Sequence, residues 1–224
     1  MRIKTVAAVA LALACSTSGA ANLLTNGSFE APNIVGGSYA LYATNSTAIT
    51  GWTVLGPTSG DSVQLTPDTY LGLRASDGRQ WIDLTGIVGY DKGVQSDAFA
   101  TVVGATYRIS FDVGNYLPFG QATVGLSVAG GAEQLFTNTS LASTSTNPMN
   151  WTSFSVDWVA NTTSTRLSLL GRANGALSNN LGIGLDNVSV ERVVPTTPVP
   201  EPETWSLMMV GLAAFALTAR RGTV

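Results

Sequence analysis

Between Thr106 and Gly114 the chain alternates without a break. Tyr107, Ile109, Phe111 and Val113 fall on one face, and Arg108, Ser110 and Asp112 on the other. A period of two marks a strand with one buried and one wet face, and it does not fit a helix of 3.6 residues per turn. The pattern recurs where Phe154, Val156 and Trp158 oppose Ser153, Ser155 and Asp157, and where Leu167 and Leu169 oppose Arg166 and Ser168. Further strands are expected in Gly51 to Leu55, Gln80 to Leu84, Gly93 to Phe99 and Ala122 to Val128. Clusters of Gly, Asn, Asp, Pro, Ser and Thr separate them, and no helical period of ten residues or more intervenes between Asn22 and Glu191. The fold class that follows is all-β, with two antiparallel sheets packed as a sandwich or jelly roll. No repeat at a fixed period is present, which disfavours a solenoid or propeller.

Both ends of the chain depart from this pattern. Arg2 and Lys4 precede an apolar run from Val6 to Cys15, and small residues follow from Ser16 to Ala21. That is the order of a secretory signal, expected over residues 1–21 with cleavage after Ala20 or Ala21. A lipidated Cys15 is the competing reading, but Leu13 stands one place late for the usual lipobox. Cys15 is the single cysteine, so disulfides cannot brace the exported part, which suits a Gram-negative bacterium. Between the ends lie about 175 residues, enough for one well-buried core, and one domain is expected over residues 22–192.

Residues 193–203, Val193-Val194-Pro195-Thr196-Thr197-Pro198-Val199-Pro200-Glu201-Pro202-Glu203, are too rich in proline for a sheet interior and read as an extended linker. A tail over 204–224 follows. Its uncharged segment from Trp205 to Ala219 would span about 22 Å as a helix, short of the roughly 30 Å hydrocarbon core and a marginal crossing on its own. Arg220 and Arg221 close it, and a basic pair beside an apolar helix stays cytoplasmic, leaving the preceding domain outside the inner membrane. A buried core helix is the other reading of this segment, which the linker disfavours.

The order of Pro200-Glu201-Pro202, apolar helix and Arg220-Arg221 resembles the PEP-CTERM sorting signal. The resemblance implies transient anchoring in the inner membrane, recognition of the proline-glutamate motif by an exosortase, and transfer to the cell surface or exopolysaccharide matrix. These five residues would then serve sorting and processing, not catalysis.

Three segments carry a second resemblance: Asn22-Leu23-Leu24-Thr25-Asn26-Gly27-Ser28-Phe29-Glu30, Gly51-Trp52, and Gly184-Leu185-Asp186-Asn187-Val188-Ser189-Val190. Together they are similar to the galactose-binding-like jelly roll of many carbohydrate-binding modules, of a plant cell-wall family of unknown function, and of the choice-of-anchor C surface proteins. In calcium-bearing modules of this kind, residues matching Glu30 and Asp186 help to hold a structural Ca²⁺. The resemblance implies the same here, with backbone carbonyls completing the six to eight oxygens the ion takes. Hydrogen bonding of the two carboxylates to backbone N–H groups is the alternative. Plain alternation would put Asp186 on the face of Val188 and Val190, the apolar side, where a carboxylate needs a partner.

Composition narrows function further. No histidine occurs, which removes Ser-His-Asp and Cys-His catalysis and His-based zinc sites. Asp83, Asp112 and Asp157 could supply a glycosidase pair, but nothing in the sequence brings two of them together, and solvated strand faces account for them. The segment 22–199 holds 12 acidic and 7 basic side chains, a balance that disfavours nucleic acid as a partner. Aromatic side chains are the usual sugar-stacking surface, and the candidates are Trp52, Trp81, Trp151 and Tyr116. Trp52 and Trp81 sit in strand-like runs and are expected in the core. Tyr116 and Trp151 are the expected ligand contacts, Tyr116 from a loop over 115–120. The expectation is a non-catalytic exported protein that binds extracellular polysaccharide or a matrix protein. A structural biofilm component without a discrete glycan site is the alternative, and a glycan-acting enzyme ranks last. Clustering of exposed aromatics in a groove or on one sheet face is what separates the first two.

Overall fold

The computed structural model describes residues 21–35, 37–58, 61–68, 70–86, 89–116, 121–140, 149–172, 182–194 and 206–212. Residues 1–193 and 194–224 form two compact units. Among the described residues, the first unit holds β1 (Ala40–Ala43), β2 (Trp52–Leu55), β3 (Ser62–Pro67), β4 (Gln80–Asp83), β5 (Gly93–Ser96), β6 (Phe99–Ala100) and β7 (Thr106–Tyr116). It continues with β8 (Ala122–Val128), β9 (Gln134–Asn138), β10 (Met149–Val159), β11 (Ser164–Thr165), β12 (Leu167–Arg172) and β13 (Ile183–Arg192).

These strands pair antiparallel into a six-stranded sheet, β1-β3-β4-β13-β7-β10, and a five-stranded sheet, β2-β5-β12-β8-β9, with β11-β6 as a small addition. The all-β sandwich expected from alternation is therefore present. Ile109, Phe111, Val113 and Leu185 of the larger sheet and Val54, Val94, Leu126 and Leu169 of the smaller one belong to one buried cluster. Phe154, Val156 and Trp158 pack against it, and their polar alternates face outward.

The N-terminal segment closes the sandwich by gripping β13. Leu23 N donates to Val190 O at 2.8 Å, and Val188 N donates to Gly27 O at 2.9 Å. Asn22 both donates to Val188 O and accepts from Val190 N. A Cβ on Gly27 would collide with the Val188 carbonyl, so the approach demands glycine there. Asn26, at φ 59°, donates from Nδ2 to Ala31 O and Thr50 O, and Trp52 Nε1 donates to the Asn26 carbonyl at 3.0 Å. Phe29 is fully buried beside Trp52, as expected for Trp52, with ring centroids 5.0 Å apart.

Strict alternation fails at one point, and it changes the placement of Asp186. Asp186 pairs with Asp112 of β7 but Ser189 pairs with Ser110, so Asn187 and Val188 together oppose Phe111. This β-bulge, with Asn187 at φ 51°, inserts one residue and inverts the faces beyond it. Asp186 therefore lies on the outer face, opposite Val188 and Val190, contrary to the plain period-two expectation. It is still fully buried, because another segment covers it.

In the second unit, residues 206–212 are helical, and Leu207, Met208, Met209, Val210 and Leu212 are all exposed. No helix among the described residues is long and apolar enough to cross a membrane. Pro200, Glu201, Pro202, Arg220 and Arg221 lie outside the described residues, as does the expected signal peptide up to Ala20.

Phe29→Ala empties the centre of this clamp and is expected to cost about 3–5 kcal/mol. Val103→Ala, at a 59 % exposed position, should stay within about 0.5 kcal/mol. Urea unfolding of the two variants checks the difference.

Candidate functional site

The outer face of the six-stranded sheet carries a row of residues fixed by register. Gln64 of β3 pairs with Asp83 of β4, Asp83 with Gly184 of β13, Gly184 with Gly114 of β7, and Gly114 with Trp151 of β10. Trp81 and Thr66 form the neighbouring pair on the same face, and Tyr116 lies opposite Met149. The two glycines form a floor. A Cβ on either would run into Met149 and the Trp151 ring, so the indole rests directly on backbone. Trp81 meets Trp151 edge to face at 6.0 Å, and Leu73, Trp81 and Met149 make a second buried cluster with Tyr116 and Trp151 on its rim.

The segment 73–80 straps this face and is tied down mainly by carboxylates. Asp68 Oδ1 accepts from Ala75 N at 2.7 Å, and Asp112 Oδ2 accepts from Ser76 Oγ at 2.5 Å. Asp186 Oδ2 accepts from Ser76 N and Asp77 N at 2.8 and 2.9 Å, while its Oδ1 takes Asn187 N at 2.7 Å. Glu30 Oε1 accepts from Arg79 N and Gln80 N at 2.7 and 2.9 Å. From the other side Trp151 Nε1 donates to the Arg74 carbonyl at 2.8 Å.

Beside the strap, a cavity of about 110 Å³ opens between Gln64, Tyr70, Trp81, Asp83, Tyr116 and Gly182. Asp83 Oδ1 takes Thr85 N and Thr85 Oγ1, and the Gly182 N–H also stabilises the carboxylate, which leaves it about one of its four acceptor sites to spare. Trp81 is 1 % exposed, and its Nε1 has no acceptor among the described residues. An unmet buried donor at a cavity wall is costly unless something fills the cavity. Burial pushes Asp83 up to about 6 against its Thr85 hydrogen bonds, and pushes Asp186 up to about 8 against its three N–H donors.

Comparison with known proteins places this geometry. A family described as a protein of unknown function, DUF642, matches residues 22–191. The chain belongs to the DUF642 family. The PEP-CTERM protein-sorting motif matches residues 198–221, which marks the DUF642 chain as an exported protein that passes through transient membrane anchoring. Among solved structures, a cyclase from Fischerella sp. TAU aligns over 80 % of this chain and all of its own at 15 % identity and a TM-score of 0.52, a likeness of fold. TmCBM61, solved in complex with β-1,4-galactotriose, aligns over 77 % of this chain and 99 % of its own at 15 % identity and a TM-score of 0.49. The CBM22-1 xylan-binding domain of Paenibacillus barcinonensis Xyn10C aligns over 70 % and 97 % at 15 % identity and a TM-score of 0.40. No curated protein matches the chain.

The DUF642 domain brings Tyr116 and Trp151 to one cluster, with Tyr116 ending β7, not in a loop; residues 117–120 lie outside the described residues. Trp81 is buried as expected, but in the outer cluster and not in the main core. Asp83 and Asp112 are buried, at 5 % and 4 % exposure, not solvated; only Asp157 is exposed, paired with Arg108 at 2.9 Å. The sequence reading missed Gln64 and Tyr70, because only the register of β3 on β4 and the 3-10 turn Tyr70–Gly72 carry them to the cavity. Glu30 and Asp186 do reach one strap, but through N–H groups. Five N–H bonds on two carboxylates leave a donor set that fits hydrogen bonding and not a Ca²⁺ cage of six to eight oxygens. No group of three or more acidic, His or Cys side chains arranged for a metal joins them among the described residues.

With folded pKa values above the unfolded ~3.9, Asp83 and Asp186 bind more protons in the native state than in the unfolded one. Their contribution is therefore complete below about pH 4 and is lost as pH rises through about 6 and about 8. The urea midpoint should fall between pH 5 and 8. Asp83→Asn, which keeps the Oδ1 acceptor, should flatten the part of that fall below pH 7, and an unchanged slope would count against it.

Proposed function

We propose that this chain is an exported, non-catalytic surface or extracellular-matrix protein of a Gram-negative bacterium, processed by an exosortase and binding polysaccharide through the outer face of its six-stranded sheet. One observation carries the binding reading: Tyr70, Trp81, Tyr116 and Trp151 gather at that face. The outer positions of the five-stranded sheet hold Thr53, Gln95, Ser127, Ser168, Leu170 and Arg172 instead. Aromatic rings with a few placed polar groups are how proteins hold sugars, apolar C–H faces on rings and hydroxyls on the polar atoms. The glycine floor under Trp151 fixes its ring, which lowers the entropy cost of binding. Asp112, Asp157 and Asp186 are each engaged by other protein groups, so they support a structural and not an acid-base role. The sorting motif would deliver such a domain to a matrix rich in polysaccharide, the partner that the aromatic face suits.

Two measurements test this reading. In polysaccharide pull-down with the sandwich unit, which closes its own core, saturable binding is expected, and Trp151→Ala or Tyr116→Ala should weaken it at least about tenfold, or ~1.4 kcal/mol. Binding by none of a broad panel would favour the structural-component alternative. Chelation by EDTA should leave the melting temperature unchanged, because N–H groups hold Glu30 and Asp186; a drop restored by Ca²⁺ would make the pair ion ligands.

A further inference from the structure

The cavity beside the strap has more specific chemistry than an aromatic face requires. Its volume of about 110 Å³ is well below the roughly 300–1,000 Å³ of pockets that take drug-sized ligands, so it has room for the edge of one sugar unit and not for a chain. Tyr70 and Tyr116 are half-buried at its wall, and Gly182 is packed so closely on Tyr116 that a Cβ would meet the ring. The groups with capacity to spare are one donor, Trp81 Nε1, which has no acceptor among the described residues, and one acceptor, the Asp83 carboxylate, whose Thr85 and Gly182 donors do not saturate it. A hydroxyl can accept from an indole N–H, and a second hydroxyl can donate to a carboxylate. Two hydroxyls on one pyranose therefore satisfy both.

We propose that this cavity takes a single uncharged hexopyranose unit by its hydroxyl edge and rejects uronate units, with Asp83 as the discriminating residue. This rests on the glycan-binding reading above. A uronate carboxylate would face a buried carboxylate and lose its own hydration, a penalty of the kind that sets specificity by exclusion. Asp83, pushed up to about 6, is ionised at pH 7. Buried Lys92 draws on Asp83, but its Nζ donates to the Thr85 carbonyl at 3.1 Å and lies 3.9 Å from Asp61.

The test is a binding panel at pH 7 of neutral polysaccharides, uronate-bearing polysaccharides, and the same uronate polymers after their carboxyls are reduced to primary alcohols. The sandwich unit should bind neutral and carboxyl-reduced members at least tenfold more tightly than uronate members. Asp83→Asn should narrow that ratio to within threefold, and Trp81→Phe, which removes the N–H, should weaken the neutral members. Equal or tighter binding of the uronate forms by the unaltered protein would overturn the discrimination while leaving glycan binding intact. Binding of no member would overturn the glycan reading and the cavity assignment with it.

Discussion

Backbone N–H groups of Ser76, Asp77, Arg79 and Gln80, held by Asp186 and Glu30, fix the one segment that turns a flat sheet face into a site. These bonds hold an irregular segment that has no strand partner for most of its length. Glu30 comes from the N-terminal motif and Asp186 from the last strand, so the site depends on the closure of the fold. The bulge at Asn187 is what makes this possible. It turns Asp186 outward to the strap while Val188 and Val190 stay in the core.

The strap in turn sets the environment of the aromatic groups. Leu73 packs with Trp81 and Met149, the Arg74 carbonyl receives the Trp151 indole, and Tyr70 and Leu71, just before the strap, wall the cavity with Asp83 and Tyr116. Trp81 and Asp83 face the cavity with capacity for a ligand, while Asp112 and Asp186 are turned to the strap and held by Ser76, Asp77 and Asn187. The division between structural and ligand-facing polar groups on one sheet face therefore follows from where the strap lies.

Much of the fold was legible in the sequence, because β7, β8, β12 and most of β10 alternate apolar residues with polar or small ones. β3 was not, since Ser62–Pro67 is buried on both sides once the strap covers its outer face, and β1 and β9 are short edge strands with weak patterns. The bulge was invisible because Asp-Asn-Val reads as unbroken alternation; only the positive φ at Asn187 breaks it. Tyr116 and Trp151 could be picked out as aromatics, Tyr116 beside a turn, and Asp83 as a strand carboxylate, whereas Gln64, Tyr70 and the burial of Asp83 come from cross-strand register and a strap without periodicity. The sorting tail was the most legible part, since its order of motif, apolar segment and basic pair is local in sequence.

The most direct test of the account is the indole N–H spectrum of the sandwich unit, in which Trp52, Trp81, Trp151 and Trp158 report separately, during titration with a neutral oligosaccharide. The account predicts that the Trp81 and Trp151 signals move together, while Trp52, whose indole is bonded to Asn26 inside the core, and Trp158, packed beneath the other end of the sheet, stay in place. Saturable binding that moves Trp52 or Trp158 and leaves Trp81 and Trp151 unchanged would contradict it.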